Sequence, residues 1–212
     1  MLAMKNILFD MDGVLVDYQP AIRVSHIAMA LQRSTADVHA AIYDSGLEAD
    51  ADAGRLGPDE YLEAVGKIMG LRLPIDVWTE ARRLATRIRP GLMGRVSSLA
   101  SQGVGIAILT NNGRLLAAHW EHIVPALFPL FRGRAHVAAE FGVAKPDPGV
   151  YVAALEKLGW RAQDTLFIDD VQANVDGAVA VGMAARRCDS EASVGDAIAA
   201  FINVSKIADR TW

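Results

Sequence analysis

Ile7-Leu8-Phe9-Asp10-Met11-Asp12-Gly13 joins an apolar run to two carboxylates and a glycine. The run, led in by Met4-Lys5-Asn6, predicts a short buried strand. Asp10 and Asp12 then leave its carboxyl end on the same side, and Gly13 lets the chain turn sharply. At roughly 6 Å and an effective dielectric of about 20, two carboxylates repel by about 3 kcal/mol, or about 2 pK units. Either one of them stays protonated or a cation sits between them. A nucleophilic aspartate beside an acid/base aspartate and a bound Mg²⁺ uses both solutions. An isolated Asp-x-Asp reads first as a charged turn after an edge strand, so the case depends on what recurs downstream.

From Leu92 onward, helix and strand periodicity alternate. Helices are expected at about Leu92–Ser101, Leu115–Val124, Asp147–Leu158, Ala173–Val181 and Val194–Val204. The strands between them are Val104–Leu109, Ala135–Ala138, Thr165–Ile168 and Met183–Arg187. Asp147-Pro148 reads as an N-cap with proline in the first turn. Strands joined by single helices imply an α/β fold with a parallel sheet of about five strands and helices on both faces.

Residues 18–89 have another texture, with helix periodicity throughout and no strand signal. Three apolar stripes stand out: Val24, Ile27, Ala28 and Leu31; Tyr61, Leu62, Val65, Ile68 and Met69; and Val77, Trp78, Ala81, Leu84, Ala85 and Ile88. Helix starts fall at Pro58-Asp59-Glu60 and Pro74. We read a small all-helical cap, 18–89, inserted into a core of residues 1–17 and 90–212. A lid spliced in after the acidic turn would sit over it.

The chain has 212 residues, 52% of them hydrophobic and 22% charged, with a net charge of −4. That charge, without a Lys/Arg cluster, argues against a nucleic-acid or anionic-membrane surface. The single cysteine, Cys188, has no histidine beside it and reads as a structural or incidental thiol in a reducing compartment. No secretory leader is expected at Met1–Met4, and no apolar stretch is long enough to span a bilayer. A cytoplasmic protein is expected, compatible with either a monomer or a homodimer.

Three apolar runs end in polar residues at the same structural point. Ile7–Phe9 ends in Asp10 and Asp12, Ile106–Leu109 in Thr110-Asn111-Asn112-Gly113, and Leu166–Ile168 in Asp169-Asp170. In open parallel sheets the carboxyl edge is where ligands bind. The chemical types fit one task. Asp10 would attack phosphorus, while Asp12 would protonate the leaving oxygen and then activate water. Mg²⁺ would be held by Asp10, the Asp12 main chain and the pair Asp169 and Asp170. The Thr110 hydroxyl and the amides of Asn111 and Asn112 would bind phosphoryl oxygens. Lys145, held extended by Pro146 before a helix N-terminus, supplies a positive charge.

With these residues in place, the sequence resembles the haloacid dehalogenase superfamily of aspartate-nucleophile phosphotransferases, over the whole chain. Phe9–Leu15, Leu109-Thr110-Asn111, Gly142–Pro148 and Phe167–Asp170 followed by Asn174 are similar to its four ordered motifs. The resemblance implies a Rossmann-like core, a helical cap after the first strand, and the roles given above. By motif register it makes Asp170 the direct Mg²⁺ ligand and Asp169 a supporting one. Thr110–Pro125 and Asp169–Val175 look most like bacterial sugar-phosphate phosphatases of the glucose-1-phosphatase kind.

The expected function is therefore Mg²⁺-dependent hydrolysis of small phosphomonoesters, such as sugar phosphates, through a phospho-aspartate, with cap residues near Tyr18 and Arg23 setting specificity. A sugar phosphomutase would use the same aspartate pair. Haloacid dehalogenases carry a non-acidic residue where Asp12 stands and need no Mg²⁺. A receiver-type phosphoacceptor is shorter and lacks the helical insertion.

Overall fold

The computed structural model describes residues 5–128 and 130–208, with side chains as far as Asn203. Met1–Met4 and residues 209–212 of the expected core lie outside the described residues. Five parallel strands form the main sheet: β1 (Asn6–Phe9), β4 (Gly105–Thr110), β5 (Ala135–Val137), β6 (Thr165–Asp169) and β7 (Ala184–Arg187). Their order is β5-β4-β1-β6-β7, with β1 in the centre. Ile7 stands level with Ile106 on one side and Leu166 on the other.

The near-continuous apolar strands follow from burial of both sheet faces. Ile7, Phe9, Ile108 and Ile168 point to one face, where α6 (Pro90–Ser101), α7 (Arg114–Ile123) and α10 (Glu191–Ala208) pack with Val96, Leu116 and Val194. Leu8, Leu109 and Phe167 point to the other, against Tyr151 and Ala154 of α8 (Pro148–Leu158) and Val175 of α9 (Gln172–Ala180). Asp147 caps α8 by accepting a 2.8 Å hydrogen bond from the Gly149 amide. Cys188 is buried with its thiol donating to the Ser193 carbonyl. Among the described residues, no helix is long and apolar enough to cross a membrane.

The insertion carries α1 (Pro20–Leu31), α2 (Thr35–His39), α3 (Leu47–Asp52), α4 (Pro58–Ile68) and α5 (Ile75–Ala85). Its ends differ from the expected all-helical texture. β2 (Val16–Tyr18) and β3 (Thr86–Ile88) pair antiparallel as a two-stranded ribbon. Three-residue strands are too short for a period to show in sequence, and this pairing joins residues about seventy apart. The stripes also need correction. Leu84 and Ile68 are exposed, while Arg82 and Arg23 are buried in the helix faces that pack inward.

Candidate active site

β1 ends at Phe9, and the Asp10 amide donates to the Ile168 carbonyl at 2.8 Å, so Asp10 enters the site at the sheet's central seam. The amides of Val14, Leu15 and Val16 all donate to the Met11 carbonyl, folding the chain back into β2. Gly13 has φ +83°, and any side chain there would collide with the Asp170 carboxylate. Glycine is thus required twice over, by backbone conformation and by the close approach of β6's carboxyl end.

Lys145 is the hub. Its Nζ lies 2.9 Å from Asp10 Oδ1 and 2.6 Å from Asp169 Oδ2, and all three groups are buried. Burial pulls the ammonium pKa down, but Asp10 and Asp169 outweigh it and hold it above the usual lysine value. Asn111 clamps the Lys145 main chain through both amide atoms, each at 2.9 Å. Its side chain therefore positions the lysine, which leaves the expected phosphoryl contact to its main-chain amide. Asp169 Oδ1 accepts from the Val171 amide at 2.8 Å, and Asn174 donates to both Asp169 oxygens at 3.1 Å.

Asp10, Asp169 and Asp170 each offer a carboxylate oxygen within 4.8 Å of the others. This all-oxygen donor set, without a thiolate or imidazole, suits Mg²⁺. Burial pushes the Asp10 carboxyl up to about 7 against the pull of Lys145, and Asp169 adds to it. Asp12 is the smallest of the named contributions to that shift, and each carboxylate of the turn has its own cation. Their mutual repulsion, which the sequence spacing puts first, is thus secondary to burial. Asp170 is raised by burial and then by Asp169.

Asp12 faces the cap. Arg82 Nη2, from the last turn of α5, reaches Asp12 Oδ2 at 2.5 Å, and Asn112 Nδ2 donates to the same oxygen at 3.1 Å. Asn112 also donates to Thr110 Oγ1 at 2.9 Å, so Thr110, Asn112 and Asp12 form one chain. Asp12 Oδ1 is buried with no hydrogen bond among the described residues. The Arg82 guanidinium stacks on Tyr18, 3.8 Å from the ring centroid. Sequence reading missed Arg82, although it stands four residues after Trp78 on the same helix face. A charge inside an apolar stripe was the available signal.

Arg23 does not reach the site as an open cation. It is 1% exposed, bonded to Glu48 at 2.6 Å, to the Tyr61 hydroxyl at 3.0 Å and to the Tyr18 hydroxyl at 3.2 Å. Tyr61 donates in turn to Glu48. Asp17 pairs with Arg89 at the ribbon, and Arg89 also donates to the Gly13 carbonyl of the acidic turn at 2.7 Å. Burial pushes the Glu48 carboxyl up, but Arg23 and its hydrogen bonds hold it below its ordinary 4.5. A depressed carboxylate contributes stability above its unfolded pKa, and that contribution is lost as pH falls through the lower folded value. Glu48→Gln should therefore lower stability near neutrality by about 3 kcal/mol, since Arg23 stays buried without its counter-charge. Denaturant titrations at pH 7 and pH 4 test this; the difference between wild type and variant should shrink at the lower pH.

Residues 4–182 match the family model described as haloacid dehalogenase-like hydrolase. The sesquiterpene phosphatase astK of Aspergillus oryzae is 29% identical over 84% of this chain and 87% of its own length. Hexitol phosphatase A of Escherichia coli is 27% identical over 84% of this chain and 80% of its own. The mouse protein Acyl-CoA dehydrogenase family member 10 is 25% identical over 84% of this chain, which spans only 17% of that protein. The fold superposes with a TM-score of 0.71 on the HAD family enzyme BT-2542 of Bacteroides thetaiotaomicron, crystallised with magnesium and inorganic phosphate. That likeness is 20% identical and covers 87% of this chain and 94% of the other. By its fold, its four motifs and the family match, the chain belongs to the haloacid dehalogenase-like hydrolases and is an enzyme of their phosphatase type.

Proposed function

We propose that the protein is a Mg²⁺-dependent phosphatase that hydrolyses small phosphomonoesters, sugar phosphates among them, through a phospho-aspartate on Asp10. The observation that carries this reading is the convergence of Asp10, Asp169 and Asp170 around Lys145 at the carboxyl ends of β1 and β6. Relatives bearing phosphatase names, including one for hexitol phosphates, support the substrate class. The neighbour crystallised with magnesium and phosphate supports the metal.

In this reading Asp10, Asp170 and the Asp12 main chain would hold Mg²⁺, with Asp169 in support, and the bound ion would supply charge neutralisation to the phosphoryl group. An Asp10 oxygen bonds to phosphorus as the ester P–O bond breaks, and the electron pair leaves on the alcohol oxygen. Asp12 gives that oxygen its proton through Oδ1, the atom without a hydrogen bond. Asp12 then takes a proton from water, whose oxygen attacks phosphorus and frees Asp10 and phosphate. Lys145, Thr110 and the Asn111 and Asn112 amides offset charge on the phosphoryl oxygens. Residues 18–89 act as the cap over a core of 1–17 and 90–212. The single buried cysteine suits the cytoplasm, and a lid of this size admits a metabolite rather than a nucleic acid.

Arg82 is a positioning residue here, holding Asp12 from the cap side. Arg82→Ala should lower kcat by about 10- to 100-fold, with a smaller effect on KM, and Arg82→Lys should restore part of it. Equal kcat in wild type and Arg82→Ala would remove Arg82 from the mechanism. The overall reading is tested by a screen of phosphorylated metabolites with and without Mg²⁺. Phosphate release only in the presence of a sugar bisphosphate cofactor would point to a phosphomutase instead.

A further inference from the structure

Arg89 stands between β3 and α6 and clasps the acidic turn. Its main-chain amide donates to the Leu15 carbonyl at 3.0 Å. Its Nη1 donates to the Gly13 carbonyl at 2.7 Å and to the Val14 carbonyl at 3.3 Å. Three consecutive carbonyls of the turn therefore accept from one residue. Asp17 fixes the other edge of the guanidinium, with Nε at 2.8 Å and Nη2 at 2.7 Å from the same carboxylate oxygen. Asp17 lies on β2, the outgoing connection to the inserted helices, and Arg89 follows β3, the returning one. A charge-assisted bond to a carbonyl is stronger than a neutral one, and at 14% exposure the Arg89 side chain keeps most water away from it.

Gly13 is where this clasp reaches the acidic cluster. Its φ of +83° and its contact with the Asp170 carboxylate leave no room for a side chain. The Gly13 amide donates to the Val16 carbonyl at 2.8 Å. Because the Asp12–Gly13 peptide is planar and trans, the Asp12 carbonyl points away from Val16. The two peptide units around Gly13 are thus held separately, one by Val16 and the other by Arg89. Building on the Mg²⁺-dependent reading, we propose that Arg89 is a positioning residue for the metal site. By holding the Gly13 carbonyl it fixes the residue that follows the Asp12 main-chain oxygen and packs on Asp170, so the segment returning from the insertion sets the Mg²⁺ affinity. A glycine has no side chain to anchor it and is conformationally free, which makes an outside donor matter more here.

The direction of the effect separates positioning from charge. Burial and then Asp169 raise the Asp170 carboxyl, and the Arg89 charge is among those that oppose them. A nearby cation repels Mg²⁺, so deleting a guanidinium that acted through its charge alone would tighten the metal. Deleting one that holds the ligands in place loosens it.

The test is calorimetric titration of the metal-free protein with Mg²⁺, which needs no substrate. Arg89→Ala should raise the Mg²⁺ Kd about 10-fold, as expected for a residue that orients metal ligands. Arg89→Lys should recover part of that loss, because an ammonium can still donate to the turn. Asp17→Asn removes the half-exposed ion pair but leaves the bond to Gly13, and should stay within about 2-fold of wild type. A merely structural Arg89 would lower the denaturation midpoint and leave the Mg²⁺ Kd alone. Should Arg89→Ala not fold, Arg89→Lys carries the test and should bind Mg²⁺ more weakly than Asp17→Asn. Unchanged or tighter Mg²⁺ binding in folded Arg89→Ala, or an equal loss in Asp17→Asn, overturns the inference alone. Absence of Mg²⁺ binding by the wild type overturns the metal reading, and the inference with it.

Discussion

Asp10→Asn is expected to abolish phosphate release, by about 10⁴-fold or more, while leaving the fold intact. Loss of a covalent nucleophile removes the low-barrier route altogether, and 10⁴-fold corresponds to about 5.5 kcal/mol of transition-state stabilisation. The fold should survive because asparagine has nearly the same shape, and Lys145 keeps its 2.6 Å contact with Asp169. The substitution also removes one of three converging carboxylates, so the thermal midpoint should hold or rise. Phosphate release and thermal melting together check this. Residual activity above a few per cent would exclude Asp10 as the nucleophile. Asp12→Asn should still accumulate acid-stable phospho-enzyme from p-nitrophenyl phosphate, whose leaving group needs little protonation.

Removal of the metal should have an effect of similar size, and the two carboxylates after β6 should respond differently to substitution. Activity is expected to vanish in EDTA and return with Mg²⁺. Asp170 has no ion pair among the described residues and stands against Gly13, so Asp170→Ala should raise the Mg²⁺ concentration needed for half-activity roughly 100-fold. Its effect on stability should be small. Asp169 is fully buried and already binds Lys145, Asn174 and the Val171 amide. Asp169→Ala leaves a buried ammonium short of one counter-charge and should cost about 3 kcal/mol of stability. Mg²⁺ titrations and denaturant melts on both variants separate the roles. Full activity after exhaustive chelation would sink the metal assignment.

Much of the core could be read directly from the chain because its signals are local. Ile7-Leu8-Phe9, Ile106–Leu109 and Leu166–Ile168 are buried on both faces, so each is apolar throughout and bounded by polar residues at its carboxyl end. That boundary alone places Asp10, Thr110 and Asp169 along one edge of the sheet. The Asp147 cap and the Pro58 and Pro74 helix starts depend on neighbouring residues only, and the structure has them where the sequence predicts. What required the tertiary structure was every pairing across long separations. The β2–β3 ribbon, the Arg82–Asp12 contact and the Arg23–Glu48 pair each join residues that periodicity treats as unrelated. A helix stripe shows which face is inward but not whether a buried arginine there finds a carboxylate. Only the packing of α5 beside Asp12, and of Arg23 beside Glu48, decided that Arg82 would hold the Asp12 carboxyl and Arg23 would be spent inside the cap.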